Sequence, residues 1–206
     1  TEQAALLAGN FRERFWWKER GYLRDHLNRD GSPDGQVRPN ALLALWVWLD
    51  TLDLFGGRAS LGLGDVPEYA ILVDSDRFLL AVETARSTVI LPWGVTSLDP
   101  DDPDFKPYHL DLDRYYYDAA YHNGDVWEWL TGPAVTCLIA AGHESAARDL
   151  YAPLVEEILS QGCVGSLREI QDGVYTPGKE EFGGATSQAW SLAEFIRVAI
   201  EHRMIQ

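Results

Sequence analysis

Apolar residues recur at helical spacing along most of the chain. Leu7, Phe11 and Phe15 sit four apart with Arg12, Glu13 and Arg14 between them, which predicts an amphipathic helix continuing to about Leu27. Asn28 to Pro39 is a loop rich in Asp, Gly and Pro; Ala41 to Phe55 is apolar at almost every position, as in a helix buried on most sides, and Gly56-Gly57 ends it. Pro67 to Val73 fits either a short helix or an extended piece. Phe78, Val82, Ala85 and Val89 form the next stripe, with Asp76 as its cap and Pro92 as its stop. Trp127, Leu130, Ala134, Cys137 and Ala141 form another, closed by Gly142, with Pro133 marking a kink or a fresh start. Ala147, Leu150, Leu154 and Ile158 follow, closed by Gly162. Ala189, Leu192, Ala193, Ile196 and Ile200 make the last stripe, capped by Thr186 or Ser187. No alternating run of strand length stands out. The expected fold is all-α, with the long loops Leu91 to Tyr117 and Cys163 to Ala185 gathered at one end.

Composition narrows the partners. The 206 residues are 46% hydrophobic, enough for a sizeable core, and no low-complexity linker divides them. The net charge of −15 argues against nucleic acid and against anionic lipid. The longest apolar run, Ala41 to Leu49, meets Asp50 well short of a bilayer's width, so no membrane span is expected. Thr1-Glu2-Gln3 lacks the basic start of a secretory signal, and lacks Met, as in a chain trimmed or cut from something longer. Cys137 and Cys163 make neither a metal spacing nor a disulfide framework, which suits free thiols in a reducing cytoplasm. Neither a cofactor nor a metal is expected. The run Asp99 to Asp104 reads as a solvated acidic turn, lacking the glycine and final glutamate of a helix-loop-helix calcium site.

Three clusters carry candidate chemistry. Arg38-Pro39-Asn40 precedes the buried helix; Asn40 suits a helix cap, and Arg38 an anion, a carboxylate or a hydroxyl. Residues 117–129 gather Asp118, His122, Asn123, Trp127 and Trp129 beside a glycine turn. Polar forks and flat rings together are what a sugar needs, although the same residues also describe a capped helix start with core tryptophans. Trp46, Trp48 and Trp127 lie on core stripes, whereas Trp129 falls off its stripe. Glu169, in a glycine-rich loop, is a surface glutamate or a carboxylate able to activate water, and Gln188 and Trp190 follow it. No Ser-His-Asp order, phosphate loop or dinucleotide fingerprint is present.

The ordered set resembles a known family. Arg38-Pro-Asn-x-Leu-Leu-Ala-Leu, Asp118-x-Ala-Tyr-His-Asn-Gly-x-Val-Trp-x-Trp-Leu-x-Gly-Pro, Glu169-Ile-x-Asp-Gly and Gln188-Ala-Trp-Ser-x-Ala-Glu are similar to the C-terminal glucosidase domain of glycogen debranching enzymes, the amylo-α-1,6-glucosidase type related to glucoamylases. The similarity runs from about Phe11 to Arg197. It implies an (α/α)6 toroid of helical hairpins and an inverting hydrolysis of an α-glucosidic bond. It also implies that Glu169 is the general base, that Arg38, Asn40, Asp118, His122, Asn123, Trp127, Trp129, Gln188 and Trp190 bind substrate, and that the partner is an α-glucan or small glucoside.

Two departures accompany the resemblance. Six or seven predicted helices make about half of an (α/α)6 barrel, so residues 1–206 read as its C-terminal part, and no position matches the family's general acid. The stretch before Gln188 is altered to Gly183-Gly184-Ala185-Thr186. A half-toroid leaves apolar faces that the missing N-terminal half, or a second copy, would cover. The alternatives are an inactive sugar-binding or structural fragment, and a related toroid glycosidase acting on another α-glucoside.

Overall fold

The helices form where apolar side chains recur on one face. The computed structural model describes residues 2–55, 66–109, 114–175 and 182–205. Among them lie seven α-helices: α1 (Glu2–Arg14), α2 (Asn40–Asp53), α3 (Ser75–Ser87), α4 (Arg114–Asn123), α5 (Thr131–Ala140), α6 (Glu144–Ser160) and α7 (Ala189–Glu201). The fold is mainly helical, as the periodicity predicts. Its strands, β1 (Trp16–Trp17), β2 (Tyr22–Leu23), β3 (Ile90–Leu91), β4 (Gly94–Val95), β5 (Val126–Trp127), β6 (Ile170–Gln171) and β7 (Phe182–Gly183), are two residues each, too short to leave an alternation in sequence.

Helix α5 sits at the centre. Every residue from Thr131 to Leu138 is buried, and α2, α6 and α7 pack around it. Gly132 lets α7 come close, since a Cβ there would lie 2.8 Å from the Glu194 Cβ. α5 and α6 form a helical hairpin turned at Gly142 (φ +83°), where the His143 N–H reaches back to the Leu138 carbonyl at 2.9 Å. Only glycine enters that left-handed turn without strain. Trp48, Leu45, Leu49 and Leu52 of α2 are buried on the other side of α5, with Phe78 of α3 behind Trp48.

Several local expectations change. The first helix stops at Arg14 rather than near Leu27, because adjacent Trp16 and Trp17 cannot share one helix face. A hairpin of β1 and β2 sends the two rings to opposite sides, where Arg77 covers Trp16 and Arg24 covers Trp17. Asp74 rather than Asp76 caps α3, accepting from the Arg77 N–H at 2.8 Å. The stripe from Trp127 divides into β5, a 3-10 turn (Glu128–Leu130) and α5, with Pro133 in the first turn of α5, where its missing N–H costs nothing. Helix α4 begins at Arg114, inside the region read as loop; its early residues carry no apolar stripe to announce it. Ser187 does not cap α7, since its hydroxyl pairs with Ser166 at 2.6 Å. The Gly56-Gly57 stop lies outside the described residues.

Strands β5, β6 and β7 form one antiparallel sheet, and the bridge Thr96↔Val126 ties it to the β3–β4 hairpin. The N-terminal ends of α2, α5 and α7 and the C-terminal end of α4 converge beside this sheet.

Candidate active site

A cavity of about 250 Å³ opens where those helix ends meet. Six of the residues singled out in the sequence line it: Arg38, Asn40, His122, Trp127, Trp129 and Trp190. Pro39, Ser97 and Leu130 complete the wall. One side is a run of rings. His122 stacks on Trp127 at 6.1 Å, Trp190 meets Trp127 edge-on, and Trp129 stacks on Trp190 at 5.3 Å. Trp127 is buried, with its indole N–H donating to the Tyr121 carbonyl at 2.9 Å; Trp190 stays 46% exposed, leaving a ring face open to a ligand.

Arg38 holds the loops around this cavity together. Its Nε and Nη2 donate to Gln36 Oε1, Nη2 to Asn123 Oδ1 (2.7 Å), and Nη1 to the Ser97 carbonyl (3.1 Å) and the His122 carbonyl. All five of its N–H groups are thereby matched to protein acceptors. The Asn123 amide also donates to the Ala119 carbonyl, so that side chain is committed at both ends and does not line the cavity. Asn40 does not cap α2; its amide donates to Asp25 Oδ1 at 2.6 Å.

Glu169 stands just before β6, whose Ile170 pairs with Trp127 of β5. It is half-buried and off the cavity wall. Its Oε1 accepts from the Tyr121 hydroxyl at 2.5 Å, and its Oε2 from the Ala185 N–H at 2.9 Å. The altered Gly183-Gly184 stretch makes this grip: Gly184 has φ +67°, and a Cβ there would lie 2.5 Å from Glu169 Oε2. Sequence reading passed over Tyr121 and Ser97. The signal for Tyr121 is its place in the ordered run Asp118-x-Ala-Tyr-His-Asn-Gly; Ser97 carries none in the sequence. Asp118 is exposed on α4, and Gln188 is half-buried ahead of α7; neither lines the cavity.

Behind the sheet, His109 Nδ1 lies 2.6 Å from Asp125 Oδ2, both buried. Burial, then the charge of Asp172, raises the Asp125 carboxyl to about 8. Among the described residues, Asp25, His26 and Asp34 place potential ligand atoms within 4.8 Å of one another. Both carboxylates already accept protein hydrogen bonds there. Asp101 and Asp104 donate their backbone N–H groups to the Asp99 and Asp102 carboxylates, folding the acidic run into consecutive tight turns.

The site is thus a small, ring-walled cavity at the ends of helical hairpins. The amylo-alpha-1,6-glucosidase family model matches residues 1–57 and 68–197, and the chain belongs to that family. It is 31% identical over 157 residues to the glycogen debranching enzyme of Saccharomyces cerevisiae, a match covering 64% of this chain and 9% of the yeast protein. Its fold is similar to an uncharacterized conserved protein from Thermus thermophilus (TM-score 0.57, 19% identity) over 90% of this chain and 36% of that one. It is also similar to a GH63 mannosylglycerate hydrolase from the same organism, solved with Tris (TM-score 0.51, 20% identity), over 90% of this chain and 35% of that one. The chain thus spans about a third of each solved chain and a small part of the yeast enzyme. No helix among the described residues is long and apolar enough to cross a membrane.

Proposed function

We propose that this chain supplies the general-base side of an inverting α-glucosidase site of the debranching type. The supporting observation is the carboxylate of Glu169, held by one donor on each oxygen and set beside the strand that carries Trp127. Each oxygen keeps a lone pair, so the group can orient a water and take its proton. The cavity is small by the standard of ligand pockets, which run about 300–1,000 Å³, and suits one sugar ring against the open ring wall of Trp129 and Trp190. Asn40, Ser97 and His122 offer polar atoms to its hydroxyls. An opposing acid, roughly 6.5–9.5 Å from the base in an inverting enzyme, comes from a part of the domain outside this chain.

Exposed apolar residues, Val47 of α2 and Leu54 just past its end with Ile196 and Ile200 of α7, would pack against that part or a second copy. The free thiols of Cys137 and Cys163 suit a reducing cytoplasm. The test is Glu169→Gln in the active protein, assayed on an α-1,6-linked glucoside. Turnover falls about 10²–10⁴-fold if Glu169 is the base, and wild-type turnover removes the assignment.

A further inference from the structure

A second pocket lies on the other face of the β5–β6 pairing, near the C-terminal half of α6. Its volume is about 370 Å³, larger than the candidate active site. Pro92, Trp93, Pro153, Leu154 and Tyr175 give it apolar walls, with the Trp93 and Tyr175 rings 6.0 Å apart. The floor carries two buried carboxyl groups, Glu128 (1% exposed) and Glu157, and one guanidinium, Arg168.

Most of the floor's hydrogen-bonding capacity is already matched. Arg168 pairs with Glu157 through Nε at 2.8 Å, and its backbone N–H donates to the same oxygen at 3.0 Å. Both amide protons of Gln171 are committed, one to the Trp93 carbonyl (3.0 Å) and one to Glu128 Oε1 (2.7 Å). Glu128 Oε2 is buried and, among the described residues, has no hydrogen-bond partner. The floor therefore holds one carboxyl more than its cation balances, and that carboxyl presents one unmatched oxygen.

We propose that this pocket is a second ligand site, for a small organic ammonium ion. Its hydrocarbon part lies against Trp93 and Tyr175, and its N–H donates to Glu128 Oε2. A sugar would need several free donors, and both amide protons of Gln171 are already spent. A single cation needs one acceptor, a net negative floor and aromatic faces that attract positive charge. Burial, and the Glu157 carboxylate beside it, push the Glu128 carboxyl well above the ordinary carboxylate range. A proton thus neutralises the floor until a cation displaces it.

The test is titration of the full chain with cyclohexylammonium, and separately with cyclohexanol as its neutral counterpart. Calorimetry gives the affinity, and the indole N–H resonance of Trp93 reports the location. Saturable binding of the ammonium is expected, with a shift at Trp93, and cyclohexanol at least tenfold weaker. Glu128→Gln keeps the side-chain shape and should weaken the ammonium at least tenfold; Trp93→Ala, which keeps the backbone carbonyl that Gln171 uses, should weaken it too. Equal binding of cyclohexanol, full affinity in a folded Glu128→Gln variant, or no binding by the wild type overturns the proposal. None of these results bears on Glu169, which lies outside this pocket.

Discussion

Gly124 shows how tightly the backbone behind the site is drawn together. A Cβ added there would lie 2.5 Å from the Lys106 carbonyl carbon, and closer still to its oxygen. Ordinary contact begins near 3.4 Å, so Gly124→Ala must push rigid backbone aside by about 1.5 Å at the oxygen. The same crossing holds the Lys106 N–H on the Asn123 carbonyl (2.7 Å), the Gly173 N–H on the Pro107 carbonyl (2.8 Å) and the Gly124 N–H on Ser97 Oγ (2.8 Å). A buried group left unmatched costs about 1–3 kcal/mol, so breaking two of these bonds gives roughly 2–6 kcal/mol. The restricted unfolded chain returns only about 0.4–1 kcal/mol. Urea denaturation of Gly124→Ala should show that loss at unchanged slope. Gly9→Ala is the matched control, because a Cβ at Gly9 of α1 meets nothing within 4 Å and the change should stabilise by about 0.5–1 kcal/mol. A Gly124→Ala midpoint equal to wild type would refute the steric reasoning.

Other outcomes follow from the same geometry. The Asp125 carboxyl, raised to about 8 by burial and then by Asp172, holds its proton more tightly folded than unfolded, where it titrates near about 3.9. That stability is complete below about pH 4 and is lost as pH rises from there to about 8, so the melting temperature should fall between pH 5 and 8 and level off above. Asp125→Asn should flatten this slope, and a wild-type melting temperature that rises over the window contradicts it. Arg38→Lys loses the planar fork that joins Gln36, Ser97, His122 and Asn123, and should cost about 2–4 kcal/mol by urea denaturation. An unchanged midpoint would return Arg38 to a purely ligand-facing role. Gly184→Val places a branched side chain against Glu169 at a left-handed backbone position, and should reduce turnover of the active protein severalfold more than its loss of stability explains.

Long stripes were legible in the sequence because burial on one helix face leaves a period. The centres of α2, α3, α5, α6 and α7 all fall on such stripes. The β1–β2 hairpin is hidden because two residues per strand are too few to show alternation, and Phe15 continues the spacing of Leu7 and Phe11 one residue past the end of α1. Helix α4 was hidden by a run of tyrosines and an aspartate without a clear apolar face. In the site, the residues gathered at the cavity were legible from their order along the chain. The division of labour among them was not. Arg38 and Asn123 read as ligand groups, yet their polar atoms hold loops from distant parts of the sequence, which only the folded chain brings together. Tyr121 reads as one more aromatic until its hydroxyl is seen on Glu169.

The most direct test of the sugar site is tryptophan fluorescence of the chain titrated with glucose and isomaltose. Trp129 and Trp190 form the open ring wall, so a saturable change is expected, abolished in Trp129→Ala and retained in Trp93→Ala. No saturable change, or a change that survives Trp129→Ala, would contradict the assignment of this cavity to a sugar ring.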